Sequence, residues 1–356
     1  MENNEAFYSE ANLNKVWGYN SSINVFSLFA EDFYAVTDFL DFFTGIRFDM
    51  HPYWGSNFTP RIGAMVYPSE ILRFRLSYQT GFRGAVGLHY GGGYRQDGLL
   101  SETNFLQVSA SSIPIFNENG EVAGYENNLP ETKPESMQGF EVAADWDINS
   151  KLNFYTVGFY NVISNVIDVG VIWRNPDVYQ MTNIGSDIPG DWNGYWFFKN
   201  TLGQIVQGGF ESVLNFKTSR ISGNLSHSYV KVISSSEQQR GSMYLTSEGN
   251  FKAYPENVSR VNVIGKVTPD FSLGLNYAYY YFWYSPNDQK VGANHLLNVS
   301  ASYVFFKKLN LTASCTNLLN QTQLYPMNSN VGDVELSDGT PSVENTSLWF
   351  SVRYTF

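Results

Sequence analysis

Period-two alternation over segments of about ten residues, repeated along most of the chain, constrains this sequence more than any other feature. Successive side chains of a strand point to opposite faces. FSLGLNYAYYYFW therefore sets Phe271, Leu273, Leu275, Tyr277, Tyr279, Tyr281 and Trp283 against Ser272, Gly274, Asn276, Ala278 and Tyr280. KLNLTASCT and HLLNVSASYVFF repeat the pattern with small, uncharged polar faces. LRFRLSYQ and FEVAADWD carry charge there instead: Arg73 and Arg75 on the first, Glu141, Asp145 and Asp147 on the second. The last segment, SLWFSVRYTF, alternates Leu348, Phe350, Val352, Tyr354 and Phe356 with Ser347, Trp349, Ser351, Arg353 and Thr355. Less regular segments near 23–34, 40–50, 58–68, 152–167, 208–216, 221–232 and 259–268 bring the total to about thirteen strands.

A soluble sandwich also alternates, with its apolar face against a second sheet. The connections argue for a different medium. Short ones (67–70, 147–151, 217–220, 268–270, 306–308) interleave with long ones (83–138, 168–207, 233–257, 284–294, 318–345), the rhythm of a transmembrane barrel with periplasmic turns and extracellular loops. Ten residues is also the length a tilted strand needs to cross an outer membrane. Aromatic residues form 17% of the chain, which suits girdles at two interfaces. No run approaches the roughly 18 apolar residues of a membrane helix. The expected class is an all-β antiparallel barrel in a bacterial outer membrane, in contact with its lipid.

Other classes are disfavoured. A net charge of −11 lacks the basic footprint of nucleic-acid binding. His51, His89, His227 and His295 are scattered without metal-ligand spacing, and neither nucleophile elbow, P-loop nor zinc signature occurs. No enzyme, cofactor or metal is expected. The single Cys315 falls on an apolar strand face, a small lipid-facing residue rather than a nucleophile. If the last strand ends at the periplasm, counting back makes the first run downward from outside. A complete barrel has an even count with both ends in the periplasm, so earlier strands are expected to be missing. MENNEAFYSEANLNKVW also lacks the basic and apolar regions of an export signal. Residues 1–22 are read as a loop or partial strand remnant and 23–356 as barrel.

Several stretches resemble the barrel of TonB-dependent outer-membrane receptors, in that family's order. TGIRFDMHPYWGSNFTPRIGAMVYP is similar to its "G-x-R-x-D … S/T-P-R" hairpin, and LRFRLSYQTGFRGA to its "Y-x-x-G-F-R-x-P" strand end, with Ala85 in place of Pro. NNLPETKPESMQGFEVAADW resembles the "N-x-x-L-x-P-E … x-x-E-x-G" segment, with Pro-Glu pairs at both 130 and 134. GGFESVLNF resembles "x-G-x-E-x", and LTASCTNLLNQTQLY resembles "L-x-x-N-L-x-D-x-x-Y" with Asn320 for Asp. The resemblance implies a 22-stranded barrel, of which this chain supplies about 13 to 14 strands, and an amino-terminal plug coupled to an inner-membrane energy transducer, for which this chain has no room. It further implies uptake of a scarce ligand of the siderophore, cobalamin or glycan class. The terminal Tyr354 and Phe356 look like the signal read by the barrel-assembly machinery. The rival readings are a passive porin-like diffusion barrel and a surface-binding barrel without transport.

Two groups of residues are candidates for function. Trp173, Tyr179, Trp192, Tyr195, Trp196 and Phe197 put more aromatic surface into 168–207 than a solvent loop needs. They form either a ligand patch or a cluster packed on itself or on the outer girdle. Arg73, Arg75, Glu141, Asp145 and Asp147 are expected to face the lumen, where mutual pairing is favoured over contact with a substrate or plug. The triplets at Asn224, Asn298, Asn310 and Asn345 are read as a polar lumen face, which sets Asn and Ser/Thr two apart, rather than as glycosylation acceptors. Asp333, Glu335, Asp338 and Glu344 are read as a solvated acidic surface.

Overall fold

The computed structural model describes residues 25–51, 55–84, 133–168, 200–242, 244–252, 255–284, 288, 290, 292–321 and 344–356 with their side chains. It also places the backbone of short paired segments between them, among them Asn4–Phe7 with Val16–Tyr19, and Ile113–Phe116 with Val122–Glu126. Thirteen strands form one antiparallel sheet: β1 Phe26–Thr37, β2 Leu40–His51, β3 Gly55–Ser69, β4 Leu72–Arg83, β5 Glu135–Asn149, β6 Leu152–Ser164 and β7 Gln204–Lys217. The series continues with β8 Ile221–Ser235, β9 Asn257–Lys266, β10 Phe271–Tyr280, β11 Asn294–Phe305, β12 Leu309–Thr316 and β13 Ser347–Tyr354. Each strand pairs with its neighbours in chain order, and β1 and β13 are the two edges among the described residues.

The two faces differ as the sequence requires. Across β4 to β6 the register aligns Tyr78, Phe140 and Tyr160 in one row and Ser77, Glu141 and Phe159 in the next. The apolar rows stay uncovered: Phe140 is 51% exposed, Val142 56% and Phe350 79%. No second sheet packs on that face among the described residues, so its apolar medium is hydrocarbon and the polar face is the inner wall. Polar side chains that do point outward satisfy one another. Thr156 and Ser212 lie 2.7 Å apart, and Tyr277 hydroxyl to His295 Nδ1 is 2.6 Å. Cys315 shares the outer rows with Val299 and Leu348.

Sharp turns close one end of the sheet, and at the other the connections are long except for residues 52–54 between β2 and β3. Thr218 Oγ1 accepts from Ile221 N at 2.9 Å and Thr268 Oγ1 from Phe271 N at 3.0 Å, each bending the chain through a local side-chain bond. Between β11 and β12 the turn rests on Phe306 and Lys307, both at positive φ, with Lys308 N donating to Phe305 O. That is the geometry whose twist matches a two-residue hairpin. β1 runs toward this turn end and β13 finishes there, as the counting argument expects.

Several boundaries move. β4 reaches Arg83 and β5 begins at Glu135, so the intervening loop is shorter at its carboxy end than 83–138. Within 168–207, Ile167–Trp173 pairs with Gly194–Asn200 as a ribbon rather than running as open loop, and β7 already starts at Gln204. The placement of Trp283 on the apolar strand face is also corrected. β10 stops at Tyr280, and Trp283, only 1% exposed, is buried with Val258, Ala278 and Tyr280, whose register puts them on the inner face. A chain that leaves the pleat no longer alternates, and burying the indole against that apolar patch is favourable.

The buried apolar core does not lie between layers. It lies under loops at the long-connection end, where the inner wall turns apolar. Val166, Ile205 and fully buried Leu245 form one cluster with Ile163, Val232, Tyr244 and Phe251. Among the described residues, the Trp283 cluster is the other.

Candidate functional site at the barrel mouth

The segment between β8 and β9 folds back over the inner wall and is held there by a set of specific bonds. Glu135, at the start of β5, has a side chain only 10% exposed and sits directly opposite Arg83, the last residue of β4. Its Oε2 lies 2.7 Å from Arg83 Nε and its Oε1 2.9 Å from Nη2. Oε1 also accepts from the backbone N–H of Ile167 at 2.8 Å, so the buried charge is fully engaged. Arg83 Nη2 donates in addition to the Tyr244 hydroxyl at 2.7 Å, with the guanidinium 5.9 Å from the ring centroid. Burial, reinforced by the Glu135 charge, pushes the Tyr244 phenol above its ordinary pKa, so it remains a neutral acceptor.

Three connections are joined nearby. Asn200 Nδ2 donates to Lys133 O at 2.8 Å and Asn165 O at 2.7 Å, and its Oδ1 accepts from Lys133 N. Gln239, fully buried, donates to the carbonyls of Thr201 and Leu202. Between wall and loop a cavity of about 370 Å³ remains. Met137, Ile163, Ile205, Tyr244 and Phe251 line it, with Arg83 and Glu135 on its polar side. That size and lining, apolar with a few placed polar groups, match a small-molecule site.

A second latch joins this loop to the next one. Lys252 Nζ lies 2.8 Å from Asp288 Oδ1, and Ser247 N donates to Oδ2 at 2.9 Å. Burial acts to raise the Asp288 pKa, but the Lys252 ammonium and the Ser247 N–H outweigh it and hold the carboxyl below its ordinary value. A folded-state pKa depressed in this way contributes stability above the unfolded value, lost as pH falls through the folded one. The latch is therefore intact at neutral pH and is lost as pH falls below the ordinary carboxylate range. Asp288→Asn is expected to open it at pH 7, raising hydrogen exchange at residues 244–252 roughly tenfold, equivalent to about 1.4 kcal/mol. Exchange equal to wild type would remove the latch.

The charged wall residues come together as a paired network. Arg73 Nη2 reaches Asp145 at 2.9 Å and Asp147 at 3.1 Å, and Arg75 Nη2 reaches Glu141 at 3.4 Å. They line the inner face well below the mouth, and their partial exposure makes each pair weak. Of the aromatic candidates, Trp173, Tyr195, Trp196 and Phe197 fall in the backbone ribbon above the wall, whereas Tyr179 and Trp192 lie outside the described residues. Tyr354 closes β13, and Phe356 lies fully exposed beyond it.

Arg83, Glu135 and Asn317 were not singled out from sequence, although each lies within a quoted family-like stretch. Asn317 is 4% exposed at positive φ. Its Nδ2 donates to Gln321 O and Glu344 O, and its Oδ1 accepts from Gln321 N, which fixes the start and end of the connection between β12 and β13. Asn320 accepts from Thr346 N, a bond its amide oxygen makes as a carboxylate would. Of the two Pro-Glu pairs, the one at 134 supplies the wall carboxylate.

A family model described as "TonB dependent receptor-like, beta-barrel" matches residues 3–318. The chain belongs to the TonB-dependent receptors. Solved structures agree on the fold of this receptor barrel. A mutant of the ferric enterobactin receptor of Pseudomonas aeruginosa is 16% identical with a TM-score of 0.66, over 99% of this chain and 48% of that one. A siderophore receptor of Acinetobacter baumannii is 16% identical with a TM-score of 0.63, over 93% and 46%. An iron transporter of Neisseria meningitidis is 15% identical with a TM-score of 0.57, over 95% and 47%. The receptor chain thus spans about half the length of these structures. The search of curated proteins yields no match. As a TonB-dependent receptor barrel the protein is an outer-membrane protein of a receptor and transporter family.

Proposed function

We propose that this barrel captures a scarce solute at the cell surface and takes part in its energy-driven passage across the outer membrane. The observation that carries the reading is the mouth loop folded onto the inner wall and held by Glu135, Arg83 and Tyr244 over a cavity of ligand size. A passive pore needs no such built site, because diffusion is served by an open, wetted lumen. In this reading the paired charges from Arg73 to Asp147 face a plug supplied with the whole receptor. An inner-membrane energy transducer moves that plug, and the aromatic ribbon Trp173 to Phe197 adds contact surface outside the mouth. Tyr354 and Phe356 are presented to the barrel-assembly machinery.

The neighbours named for ferric enterobactin and siderophores make an iron chelate one probe, alongside cobalamin and a neutral oligosaccharide. Cells carrying the protein are expected to accumulate at least one labelled probe, and to stop when the inner-membrane proton gradient is collapsed. Entry that continues unchanged without the gradient establishes the passive barrel instead. Surface binding with no entry at all establishes the binding barrel.

A further inference from the structure

Six consecutive strands place an asparagine in the same transverse row of the inner wall. Asn153, Asn215, Asn224, Asn262, Asn276 and Asn298 stand directly opposite one another across β6 to β11. Their amides join in one direction but in two runs: Asn298 Nδ2 donates to Asn276 Oδ1 at 3.1 Å, Asn276 to Asn262, and Asn262 to Asn224 at 2.9 Å, and separately Asn215 to Asn153 at 3.2 Å. Asn153 ends the row by donating to Asp145 and Asp147 at 2.7 and 2.9 Å. A cavity of about 380 Å³ lies over the β8 to β11 end of the row, bordered by Asn224, Asn262, Asn276 and Asn298 and by Ser300 and Ser314. None of its lining residues is charged.

Strand register does not explain this row. The in–out alternation and the tight turns already fix register in every one of these strands. Nor does wetting a lumen, which any mixture of polar groups achieves. The same wall uses Arg47, Arg73, Arg75, Asp49 and Glu141 on β2, β4 and β5. What the row adds is uniform neutral chemistry at a fixed interval.

From this geometry we infer that the row is a track for a neutral, polyhydroxylated chain, an oligosaccharide, running across the inner wall. A side-chain amide has two N–H donors and an acceptor oxygen with two lone pairs. Each link uses one donor and one lone pair, so Asn262 and Asn276, at the middle of the longer run, each keep one of both for a ligand. A hydroxyl both donates and accepts, so it satisfies both. A carboxylate, phosphate or anionic chelate only accepts, and leaves the second lone pair of each amide oxygen without a donor. Strands about 4.8 Å apart give five steps and a row about 24 Å long, which suits several linked sugar units.

The inference rests on the uptake reading and names its solute. The test uses the full chain in detergent, with maltopentaose and cellopentaose as neutral probes and a pentagalacturonate as the acidic one, by titration calorimetry. At least one neutral probe is expected to bind, with the acidic one at least roughly tenfold weaker, a difference of about 1.4 kcal/mol. Asn262→Ala with Asn276→Ala is expected to weaken neutral binding by the same factor while the barrel still migrates as a folded, heat-modifiable band. If that double variant does not assemble, Asn276→Asp, which keeps the side-chain size, is expected to lose affinity equally. No neutral binding, equal acidic binding, or unchanged affinity in the variant overturns the track. Gradient-driven entry of another solute without oligosaccharide binding sinks the track alone. Oligosaccharide binding without gradient-driven entry sinks the uptake reading alone.

Discussion

Gly209→Val is expected to abolish the folded barrel, leaving no heat-modifiable band after extraction from membranes. Gly209 lies in β7 between Phe159 of β6 and Val230 of β8, in the GGFESVLNF stretch. A Cβ built there collides with the Tyr229 carbonyl oxygen and comes within 2.9 Å of the Phe159 ring. The first obstacle is backbone, held in the ladder on both sides, so no rotamer change relieves it. The Phe159 ring covers the glycine, as Phe43 covers Gly63 on β2 and β3, a cross-strand pairing in which an aromatic residue shields a position without a side chain. Overpacking a filled site costs about 1–3 kcal/mol where side chains can give way, and more where the ladder itself must part. Gly209→Ala meets the same carbonyl and is expected to fail as well, whereas Gly265→Ala, with open space around its Cβ, is expected to assemble normally. Normal assembly of Gly209→Val would show that the β7–β8 register relaxes locally.

The wall was legible in the sequence because one physical rule, hydrocarbon outside and water inside, acts on every residue of every strand. β10 and β11 show it clearly through Leu273, Leu275, Leu297 and Val299 against Asn276, Ser300 and Ser302. β1 shows it poorly. Its inner face mixes Ser27 and Glu31 with Phe29 and Phe33, and Asp32 falls in an outer row, so its span shifts by three residues from the sequence reading. The mouth was not legible for a different reason. Arg83 and Glu135 are 52 residues apart and Arg83 and Tyr244 161 apart, and nothing local marks them as partners. Trp283 misled because alternation was extended past the end of the pleat. Of these asparagines, Asn276 was visible on the polar face of its strand and Asn224 and Asn298 as triplets. That they form one row depends on the register of six strands, which a single sequence does not display.

Glu135→Ala is expected to release the mouth loop and, in the proposed uptake reading, to reduce solute capture more than any other single change at the mouth. Three bonds end on this carboxylate, two from Arg83 and one from Ile167 N–H. Their loss strands a buried amide and frees the guanidinium that positions Tyr244. Hydrogen bonds to a charged group contribute about 1.5–3 kcal/mol, so a net loss near 2–3 kcal/mol follows. That changes the closed-to-open ratio of the loop roughly 30- to 150-fold. Leu245 and Gln239, both fully buried within this loop, are the reporters of closure. Protease cleavage within 236–252 on intact cells is expected to rise with the loss of solute affinity, while the heat-modifiable barrel is retained. Glu135→Gln separates charge from shape. The amide keeps an acceptor for Ile167 N–H but turns an N–H₂ toward Arg83, so an intermediate loss is expected. Arg83→Ala combined with Glu135→Ala should cost little more than Glu135→Ala alone, because the two side chains act as one unit. Additive losses would mean that Arg83 meets the solute directly, and an unchanged cleavage rate in Glu135→Ala would mean that apolar packing of Leu245 and Phe251 alone holds the loop down.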